Sequence, residues 1–311
     1  MSYDIFQPVT SDEAIELLSA SPAPFDSPTQ HRYRSLDHLE YAFDADRRRP
    51  EWVWAVRDEA GQPAAVVGGL RNGAGIVLDH LGARDVNALR VVLRAATEYA
   101  QRLPDPEATL FVPDGVGAAS PRVQAWAGAL EEAGWQLLVE RHHYEFLPEA
   151  QLATGVATTL RLEPLTSRDD PRLLELHGEI MLGTLDAHDV SLIERAGHDA
   201  ATRESLDYLL DADPWECIRL AFADSPEPVG YVSWHAMEGG RGFAVFVGVA
   251  HAARGRGYGR ELLAHATRGL MQAGSTTLIA DTDSTNTPMV AAFADIGWPR
   301  TETRTDFIPK L

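Results

Sequence analysis

The sequence predicts an α/β protein built from two tandem units, each a mixed sheet flanked by helices. A chain of 311 residues with 45% hydrophobic and 23% charged residues has the size and composition of two folded domains. Segments 129–148 and 292–309 share one pattern: an amphipathic helix that ends in Gly-Trp, an extended stretch, and then Phe-Leu-Pro or Phe-Ile-Pro. The same order of elements precedes both segments. We therefore expect domains at 1–150 and 160–311, joined by the small and polar residues of 149–159.

The elements of the two predicted units correspond in order. Each unit is expected to run from a strand through two helices into three strands, then to a helix, a strand, a helix and a final strand or hairpin. The turns DEAGQP and DSPEP predict hairpins, continuous apolar runs predict buried strands, and apolar residues at three- and four-residue spacing predict helices. The paired predictions are the hairpins 52–57 with 64–71 and 217–223 with 229–236, the strands 75–81 and 242–249, the helices 86–103 and 258–273, and the strands 108–112 and 277–282.

The charge balance excludes some partners. Lys and Arg number 27 and Asp and Glu number 46, so the formal net charge is −19. Binding to nucleic acid or to an anionic membrane needs concentrated basic side chains, and we therefore expect neither as a partner. The acidic surface suits a cationic substrate such as an amine, or it only maintains solubility.

Cysteine and histidine usage argues against disulfides and metals. Cys217 is the single cysteine, which excludes an internal disulfide and a cysteine metal cluster. His142 and His143 are adjacent, and His188 and His198 have no partner at ligand spacing, so we expect no metal site. The sequence has no apparent signal peptide and no apolar run of membrane-spanning length, which predicts a cytoplasmic protein.

A glycine-spaced basic loop is unusual in this acidic chain. The sequence VGVAHAARGRGYGRELL covers residues 247–263, between a predicted buried strand and a predicted helix. A helix start exposes unpaired N–H groups and glycines let an anion approach the backbone, so the segment predicts a phosphate site. Between Gly239 and Ala280 lie five arginines and one acidic residue, Glu261, which suits a ligand with several phosphates. The loop residues expected to bind are Arg254, Gly255, Arg256, Gly257, Tyr258, Gly259 and Arg260.

Two common phosphate-binding motifs do not fit this loop, and a third does. The loop lacks the lysine of the nucleotide P-loop, and Arg260 takes the last glycine position of the dinucleotide fingerprint. The pattern Q/R-x-x-G-x-G/A fits, with Arg254, Gly257 and Gly259. Together with the later block DTDSTNTPMVAAFADIGW at 281–298, this pattern resembles the GNAT superfamily of acyl-CoA-dependent N-acyltransferases.

The resemblance implies a fold and a co-substrate. It covers 161–311, and the first half resembles the same fold without the loop motif, as in tandem GNAT proteins. In the first half Asp85 stands where the loop would be and is predicted to cap a helix. Each sheet is then expected to be mostly antiparallel with a splayed central strand. Acetyl-CoA or another acyl-CoA is the implied co-substrate, with its pyrophosphate on the loop. The further residues implied to contact it are Val247, Gly248, Val249, Asn286 and Phe293.

The implied reaction is attack of a substrate amine on a thioester, and the usual catalytic residues of the family are missing. Phe293 occupies the position of a tyrosine that often serves as the acid, and 242–249 contains no carboxylate that could serve as the base. Asp283, His235 and Asn286 are the candidate catalytic residues. Capping of the helix that follows is the alternative role for Asp283, and a structural role is the alternative for His235.

The acceptor site is expected to form from the first two helices of the second domain. Segment 182–197 supplies Asp186, His188 and Asp189, and the irregular segment 21–35 of the first domain could cap the pocket. We therefore expect an enzyme that moves an acyl group to the amine of a small, cationic molecule such as an antibiotic, an amino sugar or a natural-product intermediate, as a monomer or homodimer. The alternatives are a non-catalytic acyl-CoA- or drug-binding protein and an acyltransferase with a carrier-bound or unusual acyl donor.

Overall fold

The computed structural model describes residues 3–149, 156, 159–212 and 214–310. Contacts between its elements divide the chain into two units, one of residues 1–140 and 302–311 and the other of residues 141–301. Each unit combines helices with a mixed sheet, which confirms the predicted α/β class. None of the described helices is long and apolar enough to cross a membrane.

The first unit alternates helices and short strands. Its elements are β1 (Asp4–Phe6), α1 (Ser11–Ala20), α2 (Pro28–Arg34), α3 (Leu36–Asp44), β2 (Val53–Arg57), β3 (Pro63–Asn72), β4 (Gly75–Ala83), α4 (Val86–Ala100), β5 (Glu107–Pro113), α5 (Pro121–Glu132) and the first part of β6 (Trp135–Phe146), to which the end of the chain adds β12 (Arg300–Pro309). The strand order is β1-β2-β3-β4-β5-β12, and β4 and β5 are parallel. Helix α4 begins at the predicted N-cap Asp85, whose carboxylate accepts hydrogen bonds from the amides of Asn87 and Ala88.

The second unit follows the same order of elements. After the end of β6 they are β7 (Arg161–Pro164), α6 (Pro171–Met181), α7 (Ala187–Ala196), α8 (His198–Ala212), β8 (Ile218–Phe222), β9 (Gly230–Ala236), β10 (Arg241–Val249), α9 (Tyr258–Gln272), β11 (Thr277–Asp283), α10 (Thr287–Ile296) and the start of β12. The strand order is β6-β11-β10-β9-β8-β7, with β10 and β11 parallel. Successive residues of β9 point to opposite faces of the sheet. Val232 packs with α9 and α10 on one face, and Tyr231 packs with α6 and α8 on the other.

The final strands of the two repeats exchange places. Residues 141–146 of β6 pair with β11, and residues 302–307 of β12 pair with β5. The observed units therefore differ from the predicted division at 150 and 160. The two strands have similar sequence patterns, and a pattern of this kind does not specify which sheet a strand completes. Most of the predicted linker 149–159 lies outside the described residues.

Candidate active site

The two parallel strands of the second unit separate along their length. The pairing of β10 with β11 ends where Phe243 lies opposite Ile279, although β10 continues to Val249 and β11 to Asp283. The other edge of β10 remains paired with β9 along this stretch, with one bulge. Residues 244–249 therefore present backbone N–H and C=O groups along an edge that is not paired with β11, as the splayed-strand prediction requires. We call the gap between this edge and the end of β11 the strand opening.

Gly248 lies in the splayed stretch of β10, and packing requires it to lack a side chain. A Cβ there would stand 2.5 Å from Cε1 of Phe246 and 2.7 Å from Cδ1 of Ile180. Neither neighbour can withdraw easily, because the Phe246 ring stacks on Tyr231 at a centroid distance of 4.6 Å and Ile180 is buried. The α6 side of the strand opening is therefore closed by tightly packed apolar groups.

The glycine loop connects β10 to α9 with an exposed backbone. Gly255 and Gly257 have φ angles of 79° and 83°, a left-handed conformation that favours glycine. A Cβ at either position would meet no atom within 4 Å, and Gly257, the N-cap of α9, forms no side-chain capping hydrogen bond. Arg256 and Arg260 are exposed beside it, and Arg260 lies 3.2 Å from Asp295. The amides at the start of α9 are thus accessible to an anion, and the loop fits the pyrophosphate of CoA.

The first arginine of the motif holds the loop against helix α6. The Arg254 guanidinium donates hydrogen bonds of 3.2 Å to the carbonyl of Val249 and 2.8 Å to that of Gly183, and a further one to the carbonyl of Ile180. Burial lowers the pKa of Arg254. Carbonyl groups at the end of a helix favour a cation, which explains the position of this side chain. Arg254 therefore positions the loop, and its contact with the co-substrate stays a prediction.

Asp283, at the end of β11, is buried and has both carboxylate oxygens engaged. Oδ1 lies 2.9 Å from Nε of Arg141, and Oδ2 accepts a 2.7 Å hydrogen bond from the amide of Ala187, the first residue of α7. The side chain is 2% exposed, and burial raises its pKa. A carboxylate that is this deeply buried and paired with a guanidinium is poorly placed to reach a substrate amine. The predicted catalytic role is therefore revised: Asp283 anchors α7, whereas the alternative prediction made it a cap of α10.

Arg141 connects β6 with the start of α7. Its Nη2 lies 3.0 Å from Oδ2 of Asp186 and donates to Nδ1 of His188 at 2.7 Å. Asp186 caps α7 by accepting hydrogen bonds of 2.9 and 3.2 Å from the amides of His188 and Asp189. Burial opposes ionisation of Asp186, but Arg141 and His188 outweigh it, and the pKa of Asp186 is lowered. The three predicted acceptor-site residues on α7 are therefore held close to the end of β11.

A second pair of a basic and an acidic residue, His143 and Asp281, lies beside the first on the same two strands. Nδ1 of His143 is 2.6 Å from Oδ1 of Asp281, and the strand register places Arg141 opposite Asp283. Asp281 and Asp283 thus face the same side of β11, as their alternation predicts. Sequence reasoning missed Arg141 and His143 because it assigned β6 to the first domain. The available signal was the alternation of basic residues on β6, which complements the alternating acidic residues on β11.

A stacked aromatic pair occupies the place where the resemblance implies a tyrosine. Phe293 of α10 is 2% exposed and stacks on Tyr144 of β6, with ring centroids 4.0 Å apart and planes 9° apart. The Tyr144 hydroxyl lies 3.3 Å from Nδ1 of His142. His142 pairs in register with Thr282, so the hydroxyl is directed toward the carboxyl end of β11. The ring stacked against Phe293 therefore carries a hydroxyl group, that of Tyr144.

The remaining two catalytic candidates are Asn286, at the start of α10, and His235, on β9. Asn286 begins α10, and its side-chain oxygen accepts a 3.3 Å hydrogen bond from the amide of Met289, so contact with pantetheine through its NH₂ group stays a prediction. His235 pairs in register with Phe243, where β10 and β11 are still joined. Gly248 lies five residues farther along β10, which is about 16 Å at the usual strand rise. The structure does not bring His235 to the strand opening, and its predicted catalytic role is revised to packing edge-on against Phe243.

The separated strands, the open glycine loop and the polar groups at the end of β11 all lie in the part of the chain that matches a known enzyme family. Residues 186–298 match the model of the acetyltransferase (GNAT) family. No curated protein is similar enough in sequence to count as a match.

Solved structures resemble the whole chain. A GCN5-related N-acetyltransferase from Sphaerobacter thermophilus has a TM-score of 0.67 at 14% identity, over 99% of this chain and 97% of its own. A tandem GNAT protein from the clavulanic acid biosynthesis pathway has a TM-score of 0.58 at 16% identity, over 98% of each chain. A glucosamine N-acetyltransferase region of a fungal multi-domain β-N-acetylglucosaminidase has a TM-score of 0.64 at 14% identity, over 99% of this chain and 38% of its own. At these identities the likeness establishes the fold, which is the tandem fold that the resemblance implied.

Proposed function

We propose that this chain transfers an acetyl or another acyl group from acyl-CoA to the amine of a small, cationic molecule. The observation that carries the proposal is the continuity of β10, the glycine loop and α9. An unpaired strand edge ends at Val249, and the open helix start follows at Gly257. A ligand with an amide-containing arm and a pyrophosphate fits both features, because a strand edge pairs with amides and an uncapped helix start binds anions. Acyl-CoA has this composition.

Backbone groups would provide most of the contacts with acyl-CoA. The amides of 255–260 would surround the pyrophosphate, with the guanidinium groups of Arg256 and Arg260 beside it. The unpaired edge of β10 would pair with the pantetheine amides, and one of its N–H groups would stabilise negative charge on the reacting carbonyl oxygen. When bound, acyl-CoA supplies the activated carbonyl carbon. The residues proposed to contact the pantetheine arm are Asn286, through its side chain, and Val247, Gly248 and Val249, through their backbone groups.

The charges at the start of α7 favour a cationic acceptor. The carboxylates of Asp186 and Asp283 contact one guanidinium, that of Arg141, and Asp189 follows in the first turn of α7. The local charge is therefore negative when His188 is neutral, and the formal net charge of −19 adds long-range attraction for a cation. Aminoglycoside antibiotics, amino sugars and amine-bearing natural-product intermediates belong to this acceptor class.

Tyr144 is the proton donor to the leaving thiolate in this proposal. Nη1 of Arg300 lies 3.1 Å from Nε2 of His142, and an arginine can only donate, so Nε2 accepts. The hydrogen-bond network then assigns the imidazole proton to Nδ1, which donates to the Tyr144 oxygen. The proton of the Tyr144 hydroxyl is left to be donated to another group. Burial raises the pKa of Tyr144, which keeps that proton in place near neutral pH.

Calorimetric titration of acetyl-CoA tests whether the glycine loop binds the pyrophosphate. We expect the wild type to bind with micromolar affinity and Gly257→Glu to lose binding, because the substitution puts a bulky carboxylate where the pyrophosphate would lie. Gly274→Glu is the matched control. Gly274 also has a positive φ, 84°, and open space where a Cβ would be added, but it follows the far end of α9, a helix of 15 residues that is about 22 Å long. Equal loss of binding in both variants, or no binding by the wild type, would contradict the proposal.

A turnover assay distinguishes an N-acyltransferase from the alternative functions. Acetyl-CoA and a short series of other acyl-CoAs are mixed with kanamycin, glucosamine and spermidine, and thiol release is followed with a chromogenic disulfide. We expect release that depends on both the acyl-CoA and the amine. Tight binding without amine-dependent release would favour a non-catalytic acyl-CoA-binding protein. No binding of any acyl-CoA would favour a carrier-bound donor or a drug-binding role.

A further inference from the structure

A chain of hydrogen bonds runs through the second unit from β9 to α7. The hydroxyl of Tyr231 lies 2.8 Å from Nδ1 of His177, and Nε2 of His177 lies 3.1 Å from Oγ of Ser205. Ser205 donates to Oδ1 of Asp189 at 3.1 Å. The four side chains come from β9, α6, α8 and α7, and we call this arrangement the Tyr231–Asp189 chain. Tyr231 and His177 are 0% and 1% exposed, whereas Asp189 is only partly buried.

All donors in the Tyr231–Asp189 chain point the same way. Burial lowers the pKa of His177 to about 4, so its imidazole is neutral near pH 7 and has one donor and one acceptor nitrogen. Burial raises the pKa of Tyr231 well above its usual range, so its hydroxyl keeps its proton and donates to Nδ1. Nε2–H of His177 then donates to Ser205, which donates to Asp189. The carboxylate of Asp189 is therefore the acceptor at the end of the chain.

Asp189 is tied to both strands that border the strand opening. Tyr231 lies opposite Gly248 in the β9–β10 register, and its ring stacks on Phe246 of β10. The first turn of α7, which carries Asp189, is fixed to the end of β11 because Asp283 accepts the amide of Ala187. Asp283 is almost fully buried, but Asp189 is partly exposed. Of these two acids, Asp189 is the one accessible to an acceptor molecule.

We propose that Asp189 is the proton acceptor for the substrate amine, in the role left vacant by the missing carboxylate of β10. This inference rests on the proposed N-acyltransferase function. Oδ1 of Asp189 accepts from Ser205 and Oδ2 accepts from Thr184 at 3.2 Å, and each carboxylate oxygen has a second lone pair for a substrate N–H.

Atoms and protons balance in the resulting step. Asp189 takes one proton from the substrate ammonium, and the neutral amine nitrogen forms a bond to the acyl carbon as the carbon–sulfur bond breaks. The nitrogen loses a second proton to water, the thiolate takes a proton from Tyr144, and Tyr144 regains one from water. Asp189 then returns its proton to water. The products are the amide, the free thiol and one proton.

The surroundings of Asp189 suit a base that works near neutral pH. Burial, and then the neighbouring carboxylate of Asp186, raise the pKa of Asp189 to about 6, while Ser205, Thr184 and His188 act against them. Proton transfer is most efficient when the pKa of the base is close to the working pH. The other charged or titratable groups around this site are Arg141 on β6, Asp283 on β11, His177 on α6 and Tyr231 on β9.

The test compares pH profiles of kcat/KM, measured with the best amine of the panel from pH 5 to 9. We expect the wild type to lose activity below about pH 6 and Asp189→Asn to lower kcat about 10²-fold and to remove that acid limb. Asp199→Asn, whose side chain is 99% exposed on α8, is the matched control and should behave as the wild type. Calorimetry should show unchanged acetyl-CoA affinity in Asp189→Asn.

Two further variants separate a proton acceptor from a structural residue. Ser205→Ala and Thr184→Val each remove a hydrogen bond that stabilises the ionised carboxylate of Asp189. The pKa of Asp189 should rise, and the acid limb should move to higher pH. An acid limb that stays in place in both variants would overturn the proposal.

The proposal and the function on which it rests fail in different ways. If Asp189→Asn keeps kcat within twofold of the wild type and keeps the acid limb, Asp189 is not the proton acceptor and the N-acyltransferase proposal stands. If the wild type does not bind acetyl-CoA, the proposed function is overturned, and the role of Asp189 is overturned with it.

Discussion

Tyr144 and Phe293 stack face to face with ring centroids 4.0 Å apart, although the two residues lie in different repeats of the sequence. The strand exchange makes this contact possible, because it places the last strand of the first repeat beside β11 of the second. The phenylalanine on α10 fills the volume of the usual tyrosine, and the hydroxyl lies on the ring stacked against it. In the proposed mechanism the acid therefore lies on β6 and not on α10.

We expect Tyr144→Phe to lower kcat by about 10²-fold, the lower range for loss of a general acid. The ring and its stacking are retained, so the free energy of unfolding should fall by only about 1 kcal/mol for the lost hydrogen bond to His142. Steady-state kinetics and urea unfolding measure the two effects. Tyr208→Phe is the control, because Tyr208 is 56% exposed on α8. A Tyr144→Phe enzyme with wild-type kcat would remove Tyr144 from the mechanism.

The glycine loop could be predicted from the sequence because its structure is local. Gly255 and Gly257 adopt positive φ angles, and glycine at two alternating positions before a helix signals this conformation directly. The order of strands and helices was predictable for the same reason, since hydrophobic periodicity is a property of short segments.

The polar groups around the strand opening depend on long-range pairing and could not be predicted in this way. Arg141 reaches Asp283 only because β6 joins the sheet of the second unit. The Tyr231–Asp189 chain joins four elements, and neither the burial of His177 nor the accessibility of Asp189 has a signature in the sequence. For Asp283 and His235 the residue types suited catalysis, but burial and position along the sheet assign them other roles.

Gly248→Ala should destabilise the protein by about 1–3 kcal/mol, the usual cost of overpacking a filled site. The added methyl group would stand 2.5 Å from Phe246 and 2.7 Å from Ile180, and both would have to shift beside the strand opening. Acetyl-CoA affinity should fall as well. Urea unfolding and calorimetry measure the effects, with Gly128→Ala on α5 as the control, because a methyl group added there would meet no atom within 4 Å. Wild-type stability in Gly248→Ala would contradict the packing argument.

Neither half of the sequence should fold alone. Fragment 1–150 lacks β12, whose Phe307 is 1% exposed in the core of the first unit, and fragment 156–311 lacks β6, whose Phe146 is 0% exposed in the second. We expect each fragment to lack a cooperative thermal transition and the co-expressed pair to regain one. Circular dichroism and calorimetry measure this. A sharp transition in either isolated fragment would show that its own final strand can replace the exchanged one.

The stability of the protein in acid should be set in part by two opposing groups of the Tyr231–Asp189 chain. The pKa of His177 falls from 6.5 to about 4 on folding, so its contribution is complete above pH 6.5 and is lost as the pH falls toward 4. The pKa of Asp189 rises from 3.8 to about 6, so its contribution is gained as the pH falls through 6. Each shift corresponds to roughly 3 kcal/mol in the free energy of unfolding, and the two contributions nearly cancel between pH 6 and 4.

Asp189→Asn should therefore be more stable than the wild type at pH 7.5 but lose stability more steeply as the pH falls to 4.5. Urea unfolding at several pH values gives the difference in the free energy of unfolding between the two proteins, from which the contributions of their common groups cancel. Free energies that change in parallel with pH would contradict the shifted pKa of Asp189.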